Sequence, residues 1–156
     1  MKPESITIQN LEAAFAGESM AHIKYRYFAK LARAAGDADT ARVFEETANQ
    51  EVEHAFGHLD LLYPKAKLTP AKALEIAIEG ETYEYTEMYP KFRHLAVQEG
   101  NAAAAKEFDE QIAESKEHAQ AFRTVLEKAA KRFAALAKVE ERHANQYRAA
   151  LAKARA

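Results

Sequence analysis

Near the N-terminus, apolar residues such as Phe15 and Ile23 recur at helical spacing, and no strand-like alternation appears in the chain. This pattern is typical of an amphipathic α-helix. It predicts a first helix over residues 6–34, with Ser5 or Thr7 as a suitable N-cap. A second helix is predicted over about 39–63.

A third helix is predicted to begin at Pro70, because proline suits the first helical position, and to end near Gln98. Pro90 lies inside this helix and lacks the N–H that an interior position needs. The sequence therefore predicts a kink near Thr86, one turn before the proline.

The C-terminal third contains 55 residues after Asn101 without glycine or proline. A single helix over 102–153 would be about 78 Å long, roughly twice any other predicted element. Two helices with a break near 127–131 are therefore predicted.

The composition points to an all-α protein. Good helix formers dominate, and only five glycines and four prolines interrupt 156 residues, a length that fits one domain over 1–156. The net charge of −2 gives no reason to expect nucleic acid as a partner. The absence of cysteine excludes disulfides and thiolate-bound metal. Without an apolar run for a signal or a membrane span, we expect a cytoplasmic protein with no membrane partner.

Two Glu-x-x-His motifs carry candidate chemistry: Glu51 with His54, and Glu140 with His143. Residues three apart share a helix face, so each motif presents a carboxylate and an imidazole to one point. A single motif of this kind is weak evidence, because glutamate-rich helices produce it by chance.

Further carboxylates complete a recognisable set. Glu81 and Glu84 share a face in the third helix, and Glu18 lies in the middle of the first, where an unpaired carboxylate would be costly. Four-helix carboxylate proteins hold two metal ions with one glutamate from each of two helices and a Glu-x-x-His from each of the others. Such mixed ligands suit iron or manganese.

An internal repeat supports a two-metal centre. The correspondences are Gly17-Glu18-Ser19 with Gly80-Glu81-Thr82, and Phe44-x6-Glu51-x2-His54-Ala55 with Phe133-x6-Glu140-x2-His143-Ala144. The repeat indicates that a helix pair has been duplicated.

A third, imperfect copy reads Phe108-x6-Ser115-x2-His118-Ala119. Its ligand position is Ser115, a poor substitute for a carboxylate, although Glu114 lies beside it. At this point the second half of the chain offers two candidate fourth helices.

The chain resembles the rubrerythrin family of the ferritin-like superfamily. The resemblance rests on Ala16-Gly17-Glu18-Ser19, on residues 46–55 (ETANQEVEHA), on residues 80–90 (GETYEYTEMYP), and on 132–143 as the family's fourth helix. It implies an all-α, ferritin-like antiparallel four-helix bundle with a di-iron centre that reduces hydrogen peroxide to water.

The resemblance also implies roles for individual residues. The implied iron ligands are Glu18, Glu51, His54, Glu81, Glu84, Glu140 and His143. Glu84 is the extra carboxylate, and Tyr25 and Tyr89 would hydrogen-bond the ligands or the bound oxygen species. Manganese or a mixed pair would accept the same set. His22 lies four residues after Glu18 and could reach the same metal, but the family has no ligand there, so His22 is predicted to have a structural role or to support the ligands.

Two departures from the family matter. Classical members carry a rubredoxin-like domain with four iron-binding cysteines. This chain therefore resembles the short, rubredoxin-free erythrins and is expected to need an external electron donor, such as a rubredoxin-like protein.

The second departure is that residues 102–128 resemble a helical insertion. Aligned without a gap, the fourth-helix ligands fall at Ser115 and His118, whereas the insertion moves them to Glu140 and His143. We prefer the second alignment because it restores the carboxylate.

Other functions stay open at the level of sequence. A ferroxidase or iron-handling protein would use oxygen as the better oxidant, and a metal-free helical interaction module would hold no metal. A stripe of apolar residues through the C-terminal segment predicts a homodimer, with helices exchanged between chains as one arrangement. The stripe comprises Phe108, Ile112, Phe122, Val125 and Leu126.

Overall fold

The computed structural model describes residues 5–154, and every regular element in that range is helical. The elements are α1 (Ile6–Ala34), α2 (Ala38–Leu62), α3 (Pro70–Tyr83), a π-helical segment (Glu84–Met88), α4 (Tyr89–Gln98) and α5 (Ala102–Ala154). The all-α prediction is confirmed. Within the described range, no helix is long and apolar enough to cross a membrane.

Contacts divide the chain into two compact units, one ending at Leu68 and one beginning at Thr69. The single domain expected from the sequence over 1–156 stays a prediction.

The first unit is a helical hairpin in which α1 packs along α2. Its turn contains Gly36 at a φ of 82°, a left-handed conformation that favours glycine. Asp37 then caps α2 by accepting a hydrogen bond from the Thr40 backbone N–H at 3.0 Å. The buried side chains of α2 are Ala41, Ala48 and Ala55. Their spacing of seven puts small residues along one stripe, so that the two helices approach closely.

The second unit packs α3, the π segment and α4 against α5. Its turn repeats the first one, because Gly100 has a φ of 72° and the Asn101 side chain accepts from the Ala104 N–H at 3.0 Å. Ala105, Ser115 and Ala119 are the buried residues of α5. The core of this unit is therefore also made of small residues.

The irregularity predicted near Thr86 is confirmed, and it takes the form of a π-helical turn rather than a simple kink. Pro90 has no N–H to donate into the preceding turn. Thr86 itself donates its hydroxyl hydrogen bond to the Thr82 carbonyl at 2.7 Å. A π turn accommodates one residue more than regular α-helix, and such turns are frequent at functional sites.

The predicted break near 127–131 is wrong, because α5 is one continuous helix of 53 residues. Its length is about 80 Å at 1.5 Å per residue. Nothing in the segment can end a helix, and the alanine, glutamate and lysine that fill it are strong helix formers. Large apolar side chains in its C-terminal half are exposed, among them Phe133 and Tyr147.

Candidate metal centre

The first unit brings three predicted ligands together. Glu18 of α1 and Glu51 and His54 of α2 each offer one ligand atom, and these atoms lie within 4.8 Å of one another. His54 Nδ1 lies 2.9 Å from Glu51 Oε2. The two glutamates are half-buried and the histidine is exposed. Two carboxylates and an imidazole at this spacing form a set that is able to hold a metal ion.

His22 lies close to this cluster and has a different role. Its Nδ1 lies 2.8 Å from the Ala48 carbonyl oxygen, to which only a protonated nitrogen can donate. Its Nε2 accepts a hydrogen bond from Arg26 Nε at 3.2 Å. Both ring nitrogens are therefore occupied, Nδ1 by a contact that joins α1 to α2 and Nε2 by a residue of α1 itself, which agrees with the predicted structural role.

The second unit forms a related cluster. Glu81 of α3 and Glu84 of the π segment face Ser115 and His118 of α5. His118 Nδ1 lies 3.4 Å from Glu81 Oε1, and Ser115 Oγ donates a hydrogen bond to Glu84 Oε2 at 3.0 Å. The alignment preferred from the sequence set Ser115 and His118 aside in favour of Glu140 and His143.

One buried oxygen atom of this cluster lacks a hydrogen-bond partner within the described range. Glu81 Oε2 is buried and has no hydrogen-bond partner among the residues that the structure describes. A buried carboxylate oxygen without a partner is costly, and a bound metal ion would satisfy it. The residues of the second unit therefore fit a metal ion as well.

The two predicted tyrosines occupy matching places in the two units. The Tyr25 ring packs on Phe44 at a centroid distance of 5.9 Å, and the Tyr89 ring packs on Phe108 at 6.1 Å. The pKa of the Tyr89 phenol is raised, first by burial and then by the negative charges of Glu84 and Glu81. The phenol therefore keeps its proton and can act as a hydrogen-bond donor.

The structure does not bring Glu140 and His143 to the second cluster. Both are exposed on the C-terminal half of α5. They lie 25 residues beyond Ser115 and His118, which is about 37 Å along a continuous helix. Because α5 makes no excursion, the pair beside Glu81 in this chain is Ser115 with His118. The assignment of Glu140 and His143 as metal ligands stays a prediction.

Comparisons with known proteins identify a family and several relatives that this chain resembles. The rubrerythrin family model matches residues 9–126. Rubrerythrin of Nitratidesulfovibrio vulgaris is 39% identical over 67% of this chain and 60% of its own length. Nigerythrin of the same bacterium is 38% identical over 65% of this chain and 56% of its own length. A putative rubrerythrin of Methanocaldococcus jannaschii is 32% identical over 77% of this chain and 69% of its own length.

A structure of nigerythrin in its fully reduced, all-ferrous state is 33% identical and covers 82% of this chain and 70% of that one, with a TM-score of 0.41. The chain spans 60% and 56% of the length of the two curated relatives from N. vulgaris. The family match includes Ser115 and His118 and ends before Glu140. The match of the family model over residues 9–126 shows that the chain belongs to the rubrerythrin family.

Proposed function

We propose that this protein is a di-iron peroxidase that reduces hydrogen peroxide to water with electrons from an external protein donor. The observation that carries the proposal is the duplicated cluster: each unit of a rubrerythrin-family chain holds two glutamates and a histidine. In both units a histidine of the second helix lies beside a glutamate of the facing helix, His54 near Glu18 and His118 near Glu81.

The proposed ligands come from both clusters. Glu18, Glu51 and His54 would bind in the first unit, and Glu81, Glu84 and His118 in the second, with Glu140 and His143 as the pair predicted from sequence. Bound iron would supply the electrons that cleave the oxygen–oxygen bond, and manganese or a mixed pair would fit the same ligands.

Two tyrosines of the chain would donate hydrogen bonds near the metal ligands. Reducing one peroxide to two waters consumes two protons as well as two electrons. The Tyr89 phenol is held protonated beside Glu84 and Glu81, so it can donate a hydrogen bond to these carboxylates or to an oxygen species near them. Tyr25 is proposed for the same role in the first unit, where it follows Glu18 by two turns.

The proposal is tested by metal analysis followed by stopped-flow oxidation of the reduced, iron-loaded protein. We expect two ions per complete site and oxidation by hydrogen peroxide much faster than by oxygen at equal concentration. Equal rates, or a faster reaction with oxygen, would indicate a ferroxidase instead. Purified protein that contains no metal and binds none on addition of ferrous ion would indicate a metal-free interaction module.

We also propose that the protein forms a homodimer through α5. Phe133 and Leu151 follow Ser115 at intervals of 18 residues, which is five full turns at 3.6 residues per turn. They therefore continue the helix face that is buried at Ser115, yet Phe133 is 70% and Leu151 51% exposed. Continuity with this packed face favours a second copy as the partner, including the exchange of helices between chains.

Light scattering at micromolar concentration tests the assembly. We expect the mass of a dimer, and Phe133→Glu should lower it towards that of a monomer because the substitution places a charge in the contact. Lys131→Glu, which changes an exposed position off this face, is the control. A wild-type monomer would refute the proposal.

A further inference from the structure

Ser115 occupies a place where the repeat puts a carboxylate. In the first unit, Glu51 follows Phe44 by seven residues, and in the second Ser115 follows Phe108 by seven. Both phenylalanines pack on the tyrosine of the facing helix. The two positions are therefore equivalent in structure as well as in sequence, and only the chemistry of the side chain differs.

The Ser115 hydroxyl is used in an unusual way for a helical serine. Such hydroxyls commonly bond back to the carbonyl four residues earlier in their own helix. Ser115 is only 3% exposed, and its Oγ donates across to Glu84 Oε2 at 3.0 Å. The bond fixes one oxygen of the carboxylate that follows Glu81 by three residues.

We infer that Ser115 is a positioning residue that holds Glu84, and that it brings no negative charge to the position where the first unit has Glu51. This inference rests on the proposed function and deepens it. In place of the carboxylate and imidazole that α2 supplies in the first unit, α5 supplies a neutral hydroxyl and the imidazole of His118. Glu81 and Glu84 are then the carboxylates of this cluster.

The charge has a consequence for the bound metal. A carboxylate beside a metal ion stabilises its more positive, oxidised state, so adding one lowers the reduction potential. A serine at this position therefore favours the reduced state, which is the state that donates electrons to peroxide.

The charge is tested with Ser115→Asp and Ser115→Asn. These side chains have nearly the same size and differ in charge, so any strain in the buried site is common to both. Potentiometric titration of the iron-loaded protein should give a lower reduction potential for S115D than for S115N. Equal potentials for two variants that both retain iron would overturn the inference about charge.

The hydrogen bond is tested with Ser115→Ala and Ser115→Thr. Loss of a partner that orients a metal ligand weakens metal binding by about 10- to 100-fold, and S115A should show this loss in a titration with cobalt(II). S115T retains the hydroxyl and should recover the wild-type affinity. The visible spectrum of bound cobalt should change in S115A and not in S115T. An S115A protein with wild-type affinity and spectrum would overturn the positioning role.

Failure of the inference is distinguishable from failure of the proposed function. If wild-type protein binds neither iron nor cobalt, both fall together. Suppose that wild-type protein binds metal and reduces peroxide, that S115A and S115T bind cobalt as wild type does, and that S115D and S115N have equal reduction potentials. Only the role of Ser115 is then refuted. If Glu140→Ala abolishes metal binding while all Ser115 variants bind normally, the second cluster is completed by Glu140 rather than by the Ser115 side of α5.

Discussion

The two helical units share one scaffold and differ in the chemistry that it carries. Each turns at a glycine with positive φ, and each caps its second helix with an Asx side chain. Each also joins its two helices by an arginine–carboxylate pair, Arg33 with Glu45 and Arg93 with Asp109. These shared features agree with duplication of a helix pair, in which the contacts that hold the hairpin are retained.

The differences lie at the candidate metal ligands. Tyr25 follows Glu18 by seven residues, whereas Tyr89 follows Glu81 by eight. The π segment lies between the latter two and accommodates the additional residue, so both tyrosines reach the matching place on a phenylalanine.

The same turn carries Glu84, whose counterpart in the first unit is Ala21. The second unit thus gains a carboxylate on its first helix and lacks one on its second, where Ser115 replaces Glu51. A duplicated scaffold can therefore carry two candidate metal clusters with different distributions of charge.

The largest effect is expected from Glu51→Ala. This change removes a carboxylate that lies within 4.8 Å of both Glu18 and His54, so metal content and peroxide turnover should fall together. Metal analysis and a peroxidase assay measure both. Glu53→Ala, an exposed residue of the same helix, is the control and should leave both unchanged. Retention of two ions and full turnover by Glu51→Ala would show that the first cluster is not a metal site.

Substitutions on α5 sharpen the comparison at the second cluster. His118→Ala should lower metal affinity, because its Nδ1 lies 3.4 Å from Glu81 Oε1 and can share a metal ion with that carboxylate. The sequence-based prediction expects Glu140→Ala to lose metal and Glu114→Ala to retain it. Metal stoichiometry of the three variants decides between the pairs. Normal binding by His118→Ala with loss in Glu140→Ala would assign the site to the later motif.

A more selective effect is expected from Glu84→Ala, which removes the carboxylate that has no counterpart in the first unit. Because Glu81 and His118 remain, the oxidation step with peroxide should slow by a larger factor than metal binding weakens. Stopped-flow rates and metal titration are compared on the same samples. Glu87→Ala alters an exposed residue of the same π segment and is the matched control. Equal losses in rate and affinity would make Glu84 an ordinary ligand.

The smallest effect concerns the ion pair of the first hairpin. The hydrogen bond from Arg33 lowers the pKa of Glu45, so the pair stabilises the folded state above the unfolded pKa of that carboxyl. This contribution is lost as the pH falls through the lower, folded pKa. Glu45→Gln should therefore unfold at slightly lower urea concentration than wild type at pH 7, and the difference should vanish in strong acid. A difference independent of pH would mean that packing rather than charge is responsible.

Local signals in the sequence were enough to predict most of the helices and the first cluster. Gly36, Pro70 and Gly100 placed the helix ends to within a residue or two, since restrictions on φ act locally. Glu51 and His54 needed only their spacing of three to share a face. Glu18 joined them because a short turn at Gly36 aligns the two helices.

The rest was decided by tertiary structure. Propensity shows that residues 102–154 can be helical, but it does not limit how far a helix extends, so the single helix α5 was missed. The choice of Ser115 and His118 beside Glu81 and Glu84 follows from the register of α5 against α3, and that register depends on the Gly100 turn and the buried alanines. Chemical preference for a carboxylate pointed to Glu140. Packing places Ser115 beside Glu84 instead, because the register between two helices is set by contacts along their whole length.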